Sequence, residues 1–79
     1  MITLTLYSRP ECHLCEQMAE ELTPLLRGRA RIEVVDISHD EALEQEYGIR
    51  IPVLKGAGQE LSFYRLDRKK VESFLVESA

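Results

Sequence analysis

The sequence predicts an α/β fold, a mixed four-stranded sheet covered by three helices in the order β-α-β-α-β-β-α. Three observations carry that expectation. Ile2, Leu4 and Leu6 alternate with Thr3, Thr5 and Tyr7, the period of two of a strand with one face buried. From Cys12 the apolar spacing becomes helical, through Leu14, Met18, Leu22, Leu25 and Leu26. Further on, Gly56-Ala57-Gly58 separates two short apolar runs, as a hairpin turn does.

Taken in order, the first strand covers about 2–7, and Ser8-Arg9-Pro10-Glu11 is its connection to the first helix. Pro24 lies inside the helical pattern. An interior proline costs about 3 kcal/mol, so a kink or an end near Thr23 is expected, with Gly28 as a stop. The second strand covers about 31–37 with Ile32, Val34, Val35 and Ile37. Ser38-His39-Asp40-Glu41 matches a capping box with Ser38 as N-cap. A short helix over about 39–47 then carries Ala42, Leu43 and Tyr47, and Gly48 stands just past its end. Val53-Leu54-Lys55 reads as the third strand, and Leu61, Phe63 and their neighbours as the fourth. Asp67 caps the last helix, with Val71, Phe74 and Leu75 inward and Leu66 and Val71 as a hydrophobic staple. Strands 1 and 2, separated by a helix, should be parallel, whereas strands 3 and 4 share a tight turn and should be antiparallel.

With 79 residues the chain is read as one domain over 1–79, acting as a monomer. Its 44% hydrophobic and 30% charged residues are those of an ordinary globular domain. A net charge of -4 argues against nucleic-acid binding as the main role. No basic segment precedes a long apolar run, and no apolar run is long enough to span a membrane. The expected compartment is the reducing cytoplasm.

The only two cysteines, Cys12 and Cys15, form a C-x-x-C pair where a strand gives way to a helix. As a staple the bridge would be poor: closing so short a loop is worth about 2 kcal/mol, against about 3 for a 15-residue loop. In a reducing compartment such a pair reads as redox or metal chemistry. Structural zinc needs four ligands, and the chain offers only His39 as a distant nitrogen, so no metal site is expected.

Tyr7-Ser8-Arg9-Pro10-Glu11-Cys12-His13-Leu14-Cys15 resembles the active-site segment of glutaredoxins, within the thioredoxin-fold superfamily. Tyr47-Gly48-Ile49-Arg50-Ile51-Pro52-Val53-Leu54 resembles the same family's second motif, whose proline is cis. The resemblance spans nearly the whole chain and is nearest to small bacterial glutaredoxin-like proteins. It implies a dithiol disulfide oxidoreductase without a tightly bound cofactor. Glutathione or a flavoprotein reductase would be the electron donor, and protein or low-molecular-weight disulfides the substrates. Cys12 would be the nucleophile, favoured as thiolate at a helix N-terminus, and Cys15, one turn further in, the resolving thiol. Arg9, His13, Ile51, Pro52 and Asp67 would form the substrate or glutathione site, with Pro52 across from Cys12. The sequence departs from the pattern in three places. His13-Leu14 stands where Pro-Tyr is common, Arg50-Ile51 where Thr-Val is usual, and Tyr64-Arg65-Leu66 where glutaredoxins carry a Gly-Gly pair. Arg65, Arg68, Lys69 and Lys70 cluster at the start of the last helix, either as a solvated face or as a patch for an anion or acidic partner. A redox-inert binding module and a carrier of an iron–sulfur cluster shared between two chains are the alternatives.

Overall fold

A computed structural model describes residues 2–78. The elements are β1 (Ile2–Ser8), α1 (His13–Leu26), β2 (Ala30–Asp36), α2 (Glu41–Tyr47), β3 (Val53–Gly56), β4 (Gln59–Phe63) and α3 (Arg68–Glu77). The predicted order is therefore the observed one. The strands lie in the order β2-β1-β3-β4. β1 and β2 are parallel, from Ile2↔Ala30 to Ser8↔Asp36. β3 runs antiparallel to β1, and β4 antiparallel to β3. The mixed sheet with three helices is that of the thioredoxin and glutaredoxin fold.

The period of two in β1 divides the core. Leu4 and Leu6, with Leu54 and Leu61, pack under Met18, Leu22 and Leu26 of α1 and Val71, Phe74 and Leu75 of α3. On the other face, Val53 joins Ile37 and Tyr47, with Tyr7, Leu43 and Ile51 packed around them. The two faces thus bury α1 and α3 on one side and the short α2 on the other.

α1 does not end at Thr23; it continues through Pro24 to Leu26. Pro24 is exposed, on the solvent side of the helix. Leu22 and Leu26 are 0% and 4% exposed. Burying two leucines is worth roughly 3–6 kcal/mol, enough to carry a proline that costs about 3. Gly28 then makes the turn, at φ 75°.

The capping box at Ser38 is not formed. Asp40 is the N-cap of α2, its carboxylate accepting from Leu43 N–H at 3.1 Å. Ser38 is already engaged, since its backbone N–H and hydroxyl both donate to Asp36 Oδ1, at 2.9 and 2.6 Å. Those bonds hold the Asp36 carboxyl below the usual range. β2 begins and ends one residue earlier than expected, and α2 starts two later. Gly48 does follow α2, but in right-handed helical conformation, continuing the turn with N–H donated to Glu44 O at 2.8 Å.

The β3–β4 turn is Ala57-Gly58, both at positive φ, 50° and 78°. That geometry is the twisted two-residue turn that suits a hairpin. Gly56 ends β3 against the core, where a Cβ would lie 2.6 Å from Leu4 Cδ2 and 2.8 Å from the Phe74 ring. Along β4, Ser62 opposes Leu54 and Glu60 opposes Lys55. The bulge leaves Leu61 unopposed, so Leu61 and Ser62 are both buried. Phe63 opposes Val53 and is 49% exposed.

Asp67 caps α3 as expected, accepting from Lys70 N–H at 3.1 Å. Val71 is fully buried, with Leu66 packed against the same cluster. Asp67→Ala is expected to cost about 1 kcal/mol, the usual value of a lost N-cap. In a domain of this size that is a fall in Tm of roughly 4–8 °C, measurable by calorimetry.

Candidate functional site

The register gathers the site at one end of the sheet. β1 delivers the chain to Ser8 there, and the Tyr7↔Val53 pairing sets Pro52 opposite Ser8 at the same end. The Val53↔Phe63 pairing brings Tyr64 to Asp67 there as well. α1 starts from this end and α3 begins there, so both helices point their N-termini at it.

Cys12 is the N-cap of α1, with extended backbone at φ -100° and ψ 108°. The cysteines are joined as a disulfide, their Cα atoms 5.2 Å apart. Cys15 N–H donates to Cys12 Sγ at 3.2 Å. The cap position thus turns the Cys12 sulfur onto the unpaired N–H groups of the first helical turn. Cys12 is half-buried, whereas Cys15 is 5% exposed. The residue before the pair, Glu11, is held at φ 58°, a conformation that costs a non-glycine residue about 1–2 kcal/mol. Strain of this kind tends to collect at functional sites.

The other expected residues are placed as follows. His13 is exposed at the first position of α1. The Arg9 guanidinium pairs with Glu44 of α2. Its charge therefore ties the cysteine loop to the opposite face and is partly neutralised there. Pro52 is fully buried and follows a cis peptide bond from Ile51, which is half-buried. Asp67 is exposed, with its carboxylate committed to the cap and its N–H donated to Ser62 Oγ at 2.9 Å.

Contacts that the sequence does not announce hold the segment before Pro52. Arg50 Nη1 donates to both carboxylate oxygens of Glu60 at 2.7 Å, and Nη2 donates to Glu46 O at 3.2 Å. The Tyr64 hydroxyl donates to Ile49 O at 2.6 Å, and Tyr64 N–H to Pro52 O at 3.0 Å. Tyr64 does this from a left-handed conformation at φ 62°. The polar partners are 10 and 15 residues apart in the chain, so no local pattern points to them.

Beneath this segment the Tyr7 and Tyr47 rings stack with centroids 4.2 Å apart. Lys55 Nζ donates to the Tyr47 hydroxyl at 3.1 Å. Burial first, then the neighbouring Tyr47, pushes the Tyr7 phenol up, and the bond to Tyr47 raises the Lys55 ammonium. Both groups hold their protons longer in the folded state than in the unfolded chain. The stability they contribute is whole below about pH 10 and is lost as pH rises through the raised values. Urea midpoints are expected to fall in that alkaline range, and combining Tyr7→Phe with Lys55→Gln should flatten the fall.

A groove of about 610 Å³ lies between α1, from Leu14 onward, and the start of α3. Leu14, Gln17, Met18 and Glu21 line it from α1, and Tyr64 through Lys69 from the other side. Leu14, which lies between the two cysteines, is thereby part of its wall.

A cysteine pair capping the helix after β1, with a proline opposite at the start of β3, defines a thioredoxin-fold protein of the C-x-x-C type. Residues 3–76 match the family model of the glutaredoxin-like domain (DUF836), and the chain belongs to that family. Its structure is similar to that of protein Ne2328 from Nitrosomonas europaea, with 34% identity, 92% of this chain and 89% of that chain covered, and a TM-score of 0.83. It is also similar to protein XcR50 from X. campestris, with 39% identity, 96% and 97% covered, and a TM-score of 0.74. A buckwheat glutaredoxin–glutathione complex shares the fold, at 20% identity over 96% of this chain and 74% of that one, with a TM-score of 0.63. No curated protein matches the sequence.

Proposed function

We propose that the protein is a dithiol disulfide oxidoreductase in which Cys12 attacks and Cys15 resolves. The observation that carries this reading is the unequal setting of the two sulfurs. Cys12 is half-buried at the helix cap with Cys15 N–H on its sulfur, and Cys15 is buried behind it. A thiolate at a helix N-terminus is stabilised by these N–H groups and by the positive end of the dipole, which lowers its pKa.

In the reduced protein the Cys12 thiolate attacks one sulfur of a substrate disulfide. The second substrate sulfur leaves as thiolate and takes a proton from water. Cys15, deprotonated, then attacks Cys12 Sγ, expelling the first substrate sulfur and closing the Cys12–Cys15 bond. Two electrons pass from the protein to the substrate, so one disulfide is reduced and one formed. The cycle is completed by an external thiol donor, glutathione or a flavoprotein-dependent reductase, and needs no bound cofactor.

In this reading Pro52 and Ile51 form the substrate-binding wall across from Cys12, supported by the register that sets Pro52 opposite Ser8 at the same end of the sheet. The Ile51 backbone, between the Arg50 N–H to Tyr47 O bond and the Tyr64 N–H to Pro52 O bond, offers an edge for an extended substrate segment. His13 is exposed next to Cys12 at the start of α1, and Arg9 fixes the loop through Glu44. Asp67 holds α3 in place beside the groove. Protein and low-molecular-weight disulfides are the proposed substrates of a monomer working in the reducing cytoplasm.

The test is turnover of a protein disulfide, such as insulin, with each donor supplied separately. Catalysis with at least one donor is expected. A protein whose disulfide neither donor reduces, and which leaves insulin untouched, is not an oxidoreductase of this kind.

A further inference from the structure

We infer that the groove beside the cysteine pair docks an acidic segment of a partner protein. The preferred substrates then carry Asp or Glu within about three residues of the cysteine attacked. The inference rests on the redox reading above and adds the substrate class.

Charge placement is the first support. Of ten basic residues, Arg65, Arg68, Lys69 and Lys70 fall within one stretch of six. All four are exposed, and among the described residues none of them is in an ion pair. Arg9, Arg29 and Arg50 have acidic partners, Glu44, Glu72 and Glu60, while Arg27, Arg31 and Lys55, also outside any ion pair among the described residues, are spread over other elements rather than clustered. With 14 acidic residues in the chain, a shortage of acids does not explain the difference. Nor does the helix gain from the cluster, because cations in its first turn oppose the dipole. Asp67 is the acid nearest them in sequence, and its carboxylate is taken by the cap.

Position is the second support. Arg65, Arg68 and Lys69 form one wall of the groove, facing Gln17 and Glu21 of α1. Leu14, Met18, Tyr64 and Leu66 give it apolar surface. Three cations stand against two acids, Glu21 and Asp67, and the Asp67 carboxylate is already held by the α3 cap, so the walls favour acids over lysine-rich segments. From Leu14 to Glu21 along α1 is about 10 Å, which an extended peptide covers in about three residues. A segment whose cysteine reaches Cys12 therefore brings its next few side chains alongside these cations.

The experiment compares disulfide-linked peptides whose cysteine is flanked by Glu, Gln or Lys, together with oxidised glutathione and a small neutral disulfide. The rate constant for oxidising the reduced protein is measured for wild type and for the Arg68→Ser/Lys69→Ser variant. These are exposed positions that leave Asp67 in place. The Glu peptide is expected to react about tenfold faster than the Lys peptide at low salt. The preference should shrink at about 0.5 M salt, where the Debye length is only a few Å. It should also shrink in the variant, whose rate with the neutral disulfide stays at the wild-type value. A Glu peptide with Ser in place of Cys should shift groove resonances of the oxidised protein in NMR titrations, independently of any redox step. Equal rates for the Glu and Lys peptides, or a preference that survives in the variant, would overturn the inference. So would a loss confined to oxidised glutathione, which would mark a small-molecule carboxylate site. If no disulfide reacts while the Ser peptide still binds the groove, the redox reading fails and the docking of an acidic segment stands.

Discussion

Cys12→Ser is expected to abolish disulfide exchange, with a loss of about 10³-fold or more, as follows when a covalent nucleophile is removed. Compared with the reduced wild type, stability should hardly change; compared with the oxidised protein, the lost bridge accounts for at most about 2 kcal/mol. Cys15→Ser should behave differently. Cys12 still attacks, but nothing behind it displaces the substrate, so a mixed disulfide accumulates on Cys12. The complex should be visible by mass spectrometry without reductant and should disappear on adding dithiothreitol. The contrast follows from exposure: Cys12 is half-buried at the cap, and Cys15 is 5% exposed. A mixed disulfide trapped on Cys15 in the Cys12→Ser protein would reverse the two roles.

Leu54→Ala is expected to have the largest effect on stability. Leu54 lies in β3, bonded to β1 on one side and β4 on the other, and is 0% exposed. Truncating a buried leucine costs about 2–5 kcal/mol, from lost transfer energy and the cavity left behind. A 79-residue domain has a total stability of only about 4–12 kcal/mol at typical values per residue. The variant should therefore melt at least about 8 °C lower, and denaturant unfolding would show it as a shifted midpoint. Gly56→Ala tests the same layer from the opposite direction. Its new methyl would press on Leu4 and the Phe74 ring, and overpacking of that kind costs about 1–3 kcal/mol.

The strand at Ile2–Tyr7, the helix after Cys12 and the cap at Asp67 were legible because each depends on residues a few positions apart. A half-buried strand shows its period of two, and a cap shows its acid beside the first helical turn. Where several local signals compete, tertiary context decides. Pro24 should break α1, yet the burial of Leu22 and Leu26 outweighs it. Ser38 has the right spacing for a capping box, but Asp36 lies nearer to it and takes both its donors. Contacts made across the fold leave no trace in the sequence. No local pattern around Glu44 points to Arg9, 35 residues away, which it holds. Tyr64 looks like a loop residue, and its left-handed backbone lets it bond both Pro52 and Ile49. The cysteine pair itself was plain from spacing and from its place between strand and helix. The groove running from Leu14 to the cations of α3 needed the folded chain.

Redox titration of the Cys12–Cys15 pair tests the central claim most directly. The protein would be equilibrated in a graded series of thiol–disulfide buffers and the fraction reduced read by thiol alkylation and mass. The expected result is a single, reversible two-electron transition between dithiol and intramolecular disulfide, with no lasting adduct on Cys15. Cysteines that stay reduced across the whole series, or that oxidise only by linking two chains, would contradict it.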